Sequence, residues 1–311
     1  MVFIDLHLGK ETGRPSCPLS LAIGNFDGVH IGHAALILRA KALAKEIGAK
    51  SGVWCFATPP SDILVGRGAV PQLLTLEEKL GVFASLGLDF AILGDFAEFM
   101  DYPPARFAKE ALYEECRARA IVCGFNFRFG RGGAGDAGTL CGAFRSYGCR
   151  AEVIPAVKHD GEVVSSTLIR GLLESGDAET AAKLLGRPYY IRTRVVHGKR
   201  LGRTIGIPTI NQKFPSAGVI PAYGVYACRC EIDGESFVGV TNVGRRPTVE
   251  ENGEVDCETY ILDFEREIYG KEVKLSFYKK IRDEKKFASL DALCDEVKKN
   301  AKYAREYFMN K

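Results

Sequence analysis

Two histidines that follow a glycine-bracketed turn are the first residues whose types and spacing could do chemistry. The apolar run SLAI leads into a turn from Gly24 to Gly28, and a helical pattern begins near His30 and His33. Side chains three positions apart lie on one face of a helix. The first turn of a helix attracts anions through its N–H groups and its dipole, and two imidazoles add donors there. The spacing predicts a phosphate site, with capping or surface histidines as the alternative; a zinc pair is disfavoured because no third ligand is evident nearby.

A hydroxyl-rich group further along the chain could bind the same kind of ligand. Ser165, Ser166 and Thr167 precede a helical run, and Arg170 follows within one turn. These hydroxyls could simply cap the helix. Arg170 would still face an anion held at the helix start.

A second candidate phosphate site lies in the segment GKRLGRTIGIPTINQ, residues 198–212. Glycines allow close backbone approach to a phosphate, and basic side chains offset its charge. Thr209 and Asn211 are two positions apart, so in an extended segment their oxygens point the same way and suit Mg²⁺ bound to ATP. No G-K-[S/T] follows the glycines, so this is not a Walker A loop, and a basic hairpin is the alternative. The glycines and basic residues are Gly198, Lys199, Arg200, Gly202, Arg203 and Gly206.

The elements that must position these residues differ between the two halves of the chain. From about residue 20 to 185, short apolar runs alternate with helical patterns, and the stretch 165–186 is expected to be one helical segment. This alternation predicts βαβ units and a parallel sheet. After Gly186, closely spaced β-type runs separated by turns predict a small antiparallel barrel, closed by one terminal helix over 289–308 that packs on it. Gly186 and Pro188 break the preceding helix, so we place the domains at 1–186 and 187–311.

Composition and charge narrow the classes of partner. The 311 residues are 46% hydrophobic and 26% charged, which is typical of folded globular proteins. The net charge of +3 comes from 42 basic and 39 acidic residues that are interspersed, so no nucleic-acid partner is indicated. Neither a signal-peptide pattern nor an apolar run of about 20 residues is present, so we expect no membrane partner and a cytoplasmic location.

Ten cysteines are scattered without a C-x-x-C pair or a Cys/His metal spacing. We expect reduced and mostly buried thiols. Cys228 and Cys230 share a face of one predicted strand, which would also suit a redox pair.

Two sets of motifs, in order, resemble one known family. GNFDGVHIGH, GFNFRFG and VSSTLIR are similar to motifs of bacterial FAD synthetases, which belong to the H-x-G-H nucleotidylyltransferases. GRTIGIPTIN, followed by PAYGVY, TNVGRRPTV and CETYILDFEREIYGK, resembles the riboflavin kinases. The resemblance implies an α/β, Rossmann-like adenylyltransferase domain and a β-barrel kinase domain with a terminal helix. It also implies the substrates riboflavin, FMN and ATP, with Mg²⁺ as cofactor, and FMN and FAD as products.

The resemblance assigns roles at the first site. His30, His33 and Arg170 would stabilise charge while the FMN phosphate attacks the α-phosphorus of ATP, so no protein nucleophile is needed. The residues implied to line the nucleotide are Gly24, Asn25, Phe26, Gly32, Asn126, Ser165, Ser166 and Thr167. The chain departs from the family at Phe56-Ala57-Thr58-Pro59-Pro60, where a histidine is common, and this leaves the placement of FMN open.

At the second site the resemblance implies that Thr209 and Asn211 bind the metal and that Gly198, Arg203 and Gly206 line the nucleotide. A kinase acting on an alcohol needs a base, and the residue that matches the family's base is Glu258. The alternative for Glu258 is an exposed strand carboxylate between buried Cys257 and Thr259. Thr193 and Tyr260 stand where the family often has Gly and His.

Three other functions stay open at this stage. One half could have decayed into a flavin-binding module, leaving a single activity. An H-x-G-H transferase for another phosphorylated substrate, such as phosphopantetheine, could carry an unrelated barrel. A flavin carrier could bind without turnover. The sequence predicts no oligomeric state.

Overall fold

The computed structural model describes residues 1–6, 13–198, 206–245 and 255–310. They form two compact units, Met1–Ser166 and Thr167–Lys311. Elements are numbered in chain order.

The first unit is built on a six-stranded sheet in which every pair of neighbours is parallel. Its strands, in spatial order, are β1 (Val2–Leu6), β4 (Phe90–Gly94), β3 (Lys50–Phe56), β2 (Leu19–Ile23), β5 (Ala118–Gly124) and β8 (Arg150–Ile154). Two short hairpins pair β6 (Arg128–Phe129) with β7 (Gly135–Asp136), and β9 (Lys158–His159) with β10 (Glu162–Val163). The predicted parallel sheet is confirmed.

Helices connect these strands. They are α1 (Ile31–Glu46), α2 (Pro60–Leu64), α3 (Leu76–Ser85), α4 (Phe96–Phe99), α5 (Pro104–Arg106), which continues as a π-helix over Phe107–Glu115, and α6 (Ala137–Ser146). All five residues of β2 are buried, as expected for a central strand covered on both faces. The core beside the sheet is aromatic, with Trp54 packed edge-on against Phe99 and Phe107.

The order of the strands defines where a ligand can bind. From β2 the chain moves to β3 and β4 on one side, and later to β5 and β8 on the other side. In open parallel sheets, ligands bind beyond the carboxyl ends of the strands at the point where the direction reverses. That point lies between β2 and β5, so the turn after β2 and the loop after β5 border one crevice.

The second unit begins with two helices, α7 (Ser166–Ser175), whose first residue belongs to the first unit, and α8 (Ala178–Leu185). The prediction of one helical segment is therefore wrong. Gly176 adopts φ 91°, and Asp177 starts α8 by accepting a hydrogen bond from the Thr180 N–H (2.9 Å). A left-handed glycine and a new N-cap interrupt the helix even though the apolar periodicity continues.

A six-stranded antiparallel sheet follows, in the order β11 (Tyr189–Arg194), β16 (Glu272–Arg282), β13 (Gly224–Ile232), β14 (Glu235–Arg245), β15 (Val255–Ile261) and β12 (Thr209–Lys213). The edges approach each other, because the Val196 N–H donates to the Asn211 carbonyl (2.8 Å) and the Gln212 side chain binds the Thr193 carbonyl (3.0 Å). The curled sheet confirms the predicted small barrel.

The terminal helix α9 (Leu290–Met309) packs on β13 and β14, as predicted. Ala304 is fully buried against Val225, Ala227 and Val240. Two large apolar residues of this helix, Leu290 and Tyr303, are 56% and 38% exposed. The packing face is thus narrower than the apolar periodicity indicated.

All ten cysteines are described, and none forms a disulfide. Seven of them are buried, including Cys228 and Cys230, which agrees with the expectation of reduced core thiols. Among the helices in the described parts of the chain, none has the length and apolar character to span a bilayer.

Candidate active sites

The turn between β2 and α1 is held in an uncommon backbone conformation. Phe26, Gly28 and Val29 adopt φ values of 53°, 75° and 40°, and a β-branched residue such as Val29 rarely occurs in this region. Buried Asp27 stabilises the turn, because its Oδ1 accepts a hydrogen bond from the Leu73 N–H (2.9 Å). Backbone strain of this kind persists only where the surroundings impose it, and it concentrates at functional sites.

The two imidazoles lie stacked at the start of α1. Their centroids are 3.6 Å apart with an angle of 16° between the rings. His30 is the N-cap, because its Nδ1 accepts the His33 N–H (3.2 Å). A Cβ on Gly32 would lie 3.0 Å from His30 Cε1, so a side chain at this position would press on the stacked rings. His30 therefore caps the helix, which was the alternative interpretation of these histidines. The two imidazoles also lie together on one face, as the spacing predicts.

The environment of His33 favours its neutral form. Burial, the neighbouring His30 and the Lys79 ammonium, in that order of size, hold the pKa of His33 well below its usual range. Phe26 is fully buried and packs edge-on against His33, with centroids 5.3 Å apart, so its ring supports the imidazole from inside. The His33 Nδ1 is buried and has no hydrogen-bond partner among the described residues.

The other predicted residues of the first unit lie at the same edge of the sheet. Gly24 directly follows β2, and exposed Asn126 follows β5, so the two flank the crevice between these strands. Ser165 and Ser166 are half-buried, and the Ser166 Oγ donates to the Asp27 carbonyl (2.9 Å). Ser166, the last residue of the first unit, therefore contacts the turn that precedes the imidazoles.

Two further predicted residues lie on α7 and belong to the second unit. Thr167 is exposed and Arg170 half-buried, and the Arg170 Nη2 donates to the Thr167 Oγ1 (3.3 Å). The hydrogen bond places the guanidinium beside the first turn of α7.

The barrel brings together the threonine, asparagine and glutamate that the sequence singled out. Strands β12 and β15 are antiparallel, with Asn211 directly opposite Glu258. The Thr209 Oγ1 donates to the Glu258 Oε1 (2.7 Å). Glu258 is exposed between buried Cys257 and Thr259, so the carboxylate faces solvent while its strand is anchored in the core.

The glycine-rich segment before β12 is described only in part. Gly198 lies against the Asn211 amide, where an added Cβ would come within 2.7 Å of Asn211 Cγ. Gly206 is exposed and adopts φ 71°. Arg203, together with Lys199, Arg200 and Gly202, lies outside the described residues.

The chain has close relatives of known name along its whole length. A family model described as "FAD synthetase" matches residues 14–168, and one described as "Riboflavin kinase" matches residues 185–308. The chain is 36% identical to "Bifunctional riboflavin kinase/FMN adenylyltransferase" of Bacillus subtilis over 98% of this chain and 96% of the relative. The chain belongs to the bifunctional riboflavin kinase/FMN adenylyltransferase family. The Escherichia coli K12 protein of the same name is also 36% identical, over 97% of this chain.

A solved structure shares both units. "Crystal Structure of Macrolide-efflux Protein from Streptococcus pneumoniae" superimposes with a TM-score of 0.89 and 30% identity, covering 98% of this chain and 99% of that one. Its title names a different activity from the sequence relatives. The two family models and the named relatives agree with each other, and they match the order of the units: synthetase first, kinase second.

Two further polar residues, which the sequence did not single out, contact or pair with the candidate site residues. Lys79 on α3 is 6% exposed, and its Nζ donates to the Asn25 carbonyl (3.0 Å) inside the first turn. In the barrel, Asn242 on β14 lies opposite Glu258, and its Nδ2 donates to the Glu284 Oε1 (3.4 Å). No local pattern marks these residues, because each contact joins positions far apart in sequence.

Proposed function

We propose that the first unit transfers adenylyl groups to FMN at the turn carrying His30 and His33, and that the second unit phosphorylates riboflavin beside Glu258. The proposal is supported by two local groupings, one in each unit. The stacked imidazoles lie at the switch point of a parallel sheet, and the Thr209–Glu258 pair lies on adjacent barrel strands. The division at 1–186 and 187–311 remains part of the proposal.

In adenylyl transfer, an oxygen of the FMN phosphate bonds to the α-phosphorus of ATP while the bond to the bridging oxygen of the β-phosphate breaks. Pyrophosphate leaves, and no proton has to be removed because a phosphate monoester is largely ionised at neutral pH. The required help is alignment and neutralisation of charge on the phosphate oxygens. We assign it to His30, His33 and Arg170, with Ser165, Ser166 and Thr167 as hydrogen-bond donors.

The main chain and Asn126 complete the first pocket in this proposal. Gly24, Asn25 and Gly32 belong to backbone that can approach the phosphates, and Asn126 lies across the crevice. Phe26 contributes through His33, since its own ring is covered.

In the kinase reaction, the ribityl hydroxyl oxygen bonds to the γ-phosphorus of ATP while the bond to the β-phosphate oxygen breaks and ADP leaves. The hydroxyl proton passes to Glu258. A carboxylate has two oxygens, so Glu258 can hold the Thr209 hydroxyl through Oε1 and receive the proton on Oε2. Gly198, Arg203 and Gly206 are proposed to line the nucleotide.

The residues of the barrel fit a magnesium ion. Thr209 and Asn211 supply neutral oxygens on one edge strand, and the Glu258 carboxylate lies next to Thr209, a hard-oxygen set of the kind Mg²⁺ prefers. Mg²⁺ would bind at Thr209 and Asn211 and neutralise phosphate charge. A cytoplasmic location, with small-molecule substrates only, completes the proposal.

The test is a time course of riboflavin with ATP and Mg²⁺, separated by chromatography. FMN should appear first and FAD later, and a parallel reaction from FMN should yield FAD without a lag. A chain that stops at FMN, or that converts only supplied FMN, would be monofunctional. Consumption of neither substrate would contradict both assignments.

A further inference from the structure

A buried lysine lies beneath the turn that carries the imidazoles. Lys79 is on α3 and is 6% exposed, so its ammonium does not reach solvent in the way that long cationic side chains usually do. Its Nζ donates to the carbonyl of Asn25 (3.0 Å), which lies between Gly24 and Phe26 in the strained turn. Burying an ammonium is costly unless it is compensated.

The interactions of this ammonium with the described residues are with uncharged groups. The Lys79 charge lowers the pKa of His33, and this effect is smaller than those of burial and of His30. Burial raises the pKa of Cys55 on β3, and the Lys79 charge lowers it by a smaller amount. Among the described residues, the hydrogen bond and the pKa effects of Lys79 therefore involve a carbonyl, an imidazole and a thiol, and none of these carries a full negative charge.

Packing fixes the position of Lys79. Its helix α3 begins with a capping box between Thr75 and Glu78, and Phe83, one turn after Lys79, packs edge-on against Phe26 (5.6 Å between centroids). Phe26 in turn contacts His33. The lysine thus belongs to a rigid layer behind the imidazole pair.

We propose that Lys79 is a positioning residue for adenylyl transfer. Its buried ammonium fixes the Asn25 carbonyl, and with it the turn bearing His30 and His33, and a bound triphosphate compensates its positive charge. The proposal rests on the assignment of FMN adenylylation to this turn. It accounts for a buried charge whose hydrogen bond among the described residues is to a carbonyl and not to a carboxylate: the counter-charge arrives with the substrate.

Three variants separate the two parts of the proposal. Lys79→Met removes both the donor and the charge, Lys79→Gln retains a donor only, and Lys79→Arg retains the charge. We expect kcat/KM for ATP in FMN adenylylation to fall by about a hundredfold in Lys79→Met, as a displaced reacting group would. Lys79→Gln should lose less, and Lys79→Arg should recover at least about tenfold over Lys79→Met.

Controls in the same chain identify a folding defect. Riboflavin phosphorylation should be unchanged in all three variants. Lys41→Met removes a half-buried lysine that also donates to a carbonyl, that of Leu86 (2.6 Å), and should leave adenylylation unchanged. Equal adenylylation by Lys79→Met and the parent chain would overturn the proposal.

A second measurement does not depend on turnover. Titration of the His33 imidazole by NMR should give a higher pKa in Lys79→Met and Lys79→Gln than in the parent chain, and no rise in Lys79→Arg. An unchanged His33 titration in both neutral variants would overturn the role of the charge.

The outcome of a His33→Gln variant tests the underlying assignment. If it retains adenylylation, the turn is not the adenylylation site, and the proposal for Lys79 fails with it. If His33→Gln is inactive while Lys79→Met has normal rates, only the inference about Lys79 is wrong.

Discussion

The first unit presents its imidazole pair on irregular backbone, whereas the second presents its carboxylate on regular strands. Phe26, Gly28 and Val29 have left-handed φ values just before the helix that carries His33. Thr209 and Glu258, by contrast, sit on paired antiparallel strands with unbroken register. The stacked imidazoles depend on local strain and a cap, and the Thr209–Glu258 contact depends on sheet register.

In the proposed assignment, the attacking group explains this difference. A phosphate monoester is already ionised, so the first site needs donors and positive charge, which a helix N-terminus and a strained turn can concentrate. A sugar alcohol must lose a proton, so the second site needs a carboxylate held at a fixed distance. The first unit thus supplies donors and positive charge for a phosphate nucleophile, and the second supplies a base for an alcohol nucleophile.

The largest expected effect comes from removing both imidazoles. His30→Ala with His33→Ala should lower FMN adenylylation by at least about a thousandfold, since each lost donor to a transition-state oxygen typically costs 10²–10³-fold, while riboflavin phosphorylation stays measurable. The rate of FMN adenylylation is measured by chromatography of the FAD formed from supplied FMN. His30→Asn, which can still cap α1, shows how much of the loss comes from the cap. Undiminished FAD formation would reject the assignment of the pair.

Glu258→Gln tests the assignment of riboflavin phosphorylation to the barrel site. The amide cannot accept the ribityl proton, so phosphorylation of riboflavin should fall by about 10²–10⁴-fold, while supplied FMN is still converted to FAD. Glu272→Gln is the matched control, because Glu272 is also an exposed strand carboxylate of the barrel, 3.3 Å from Arg192. Normal FMN production by Glu258→Gln would remove this residue from the mechanism.

A smaller effect is expected from crowding the imidazole stack. In Gly32→Ala, the new methyl group would lie 3.0 Å from His30 Cε1 and push the ring by a few tenths of an ångström. We expect about a tenfold loss in adenylylation, below the roughly hundredfold loss that a 1 Å displacement can cause. Gly142→Ala on α6 has nothing within 4 Å of the added atom and should not change the rate. A Gly32→Ala rate equal to that control would mean that the stack tolerates displacement.

The smallest effect concerns stability and pH. The folded-state pKa of His33 lies below its unfolded value of about 6.5, so below that pH the unfolded chain binds a proton that the folded chain does not. The free energy of unfolding should therefore fall as pH drops from about 6.5, by at most about 1.4 kcal/mol per pH unit from this group. Urea unfolding followed by Trp54, the single tryptophan, reports on the first unit.

His33→Gln should flatten this dependence, because glutamine does not titrate. An identical pH dependence in the two proteins would contradict the assigned direction of the pKa shift.

The sequence predicted the architecture where buried runs and turns are local. β2 is a continuous apolar run, and the turn at Asp233-Gly234 has φ values of 52° and 85°, as expected for the tight hairpin between β13 and β14. The edge strand β1 was not predicted, since three of its five residues are exposed. The break at Gly176 was also missed, because apolar periodicity continues through it.

Only those site residues that lie in recognisable motifs could be predicted from the sequence. The approach of Glu258 to Thr209 spans 49 positions, and the family resemblance anticipated it. The contact of Lys79 with Asn25 spans 54 positions and has no signal of its own, since a lysine in an amphipathic helix normally faces solvent. Burial of that lysine is decided by tertiary packing, which no local spacing encodes.

The distribution of thiols gives each unit its own chemical reporter. Cys55, Cys116, Cys123 and Cys141 are buried in the first unit, and Cys228, Cys230 and Cys257 in the second. Burial raises the pKa of Cys123 to about 12, and thiolates are the reactive form, so these groups resist alkylation until the surrounding core opens. Mass spectrometry of alkylated peptides can therefore time the opening of each half separately within one unfolding reaction.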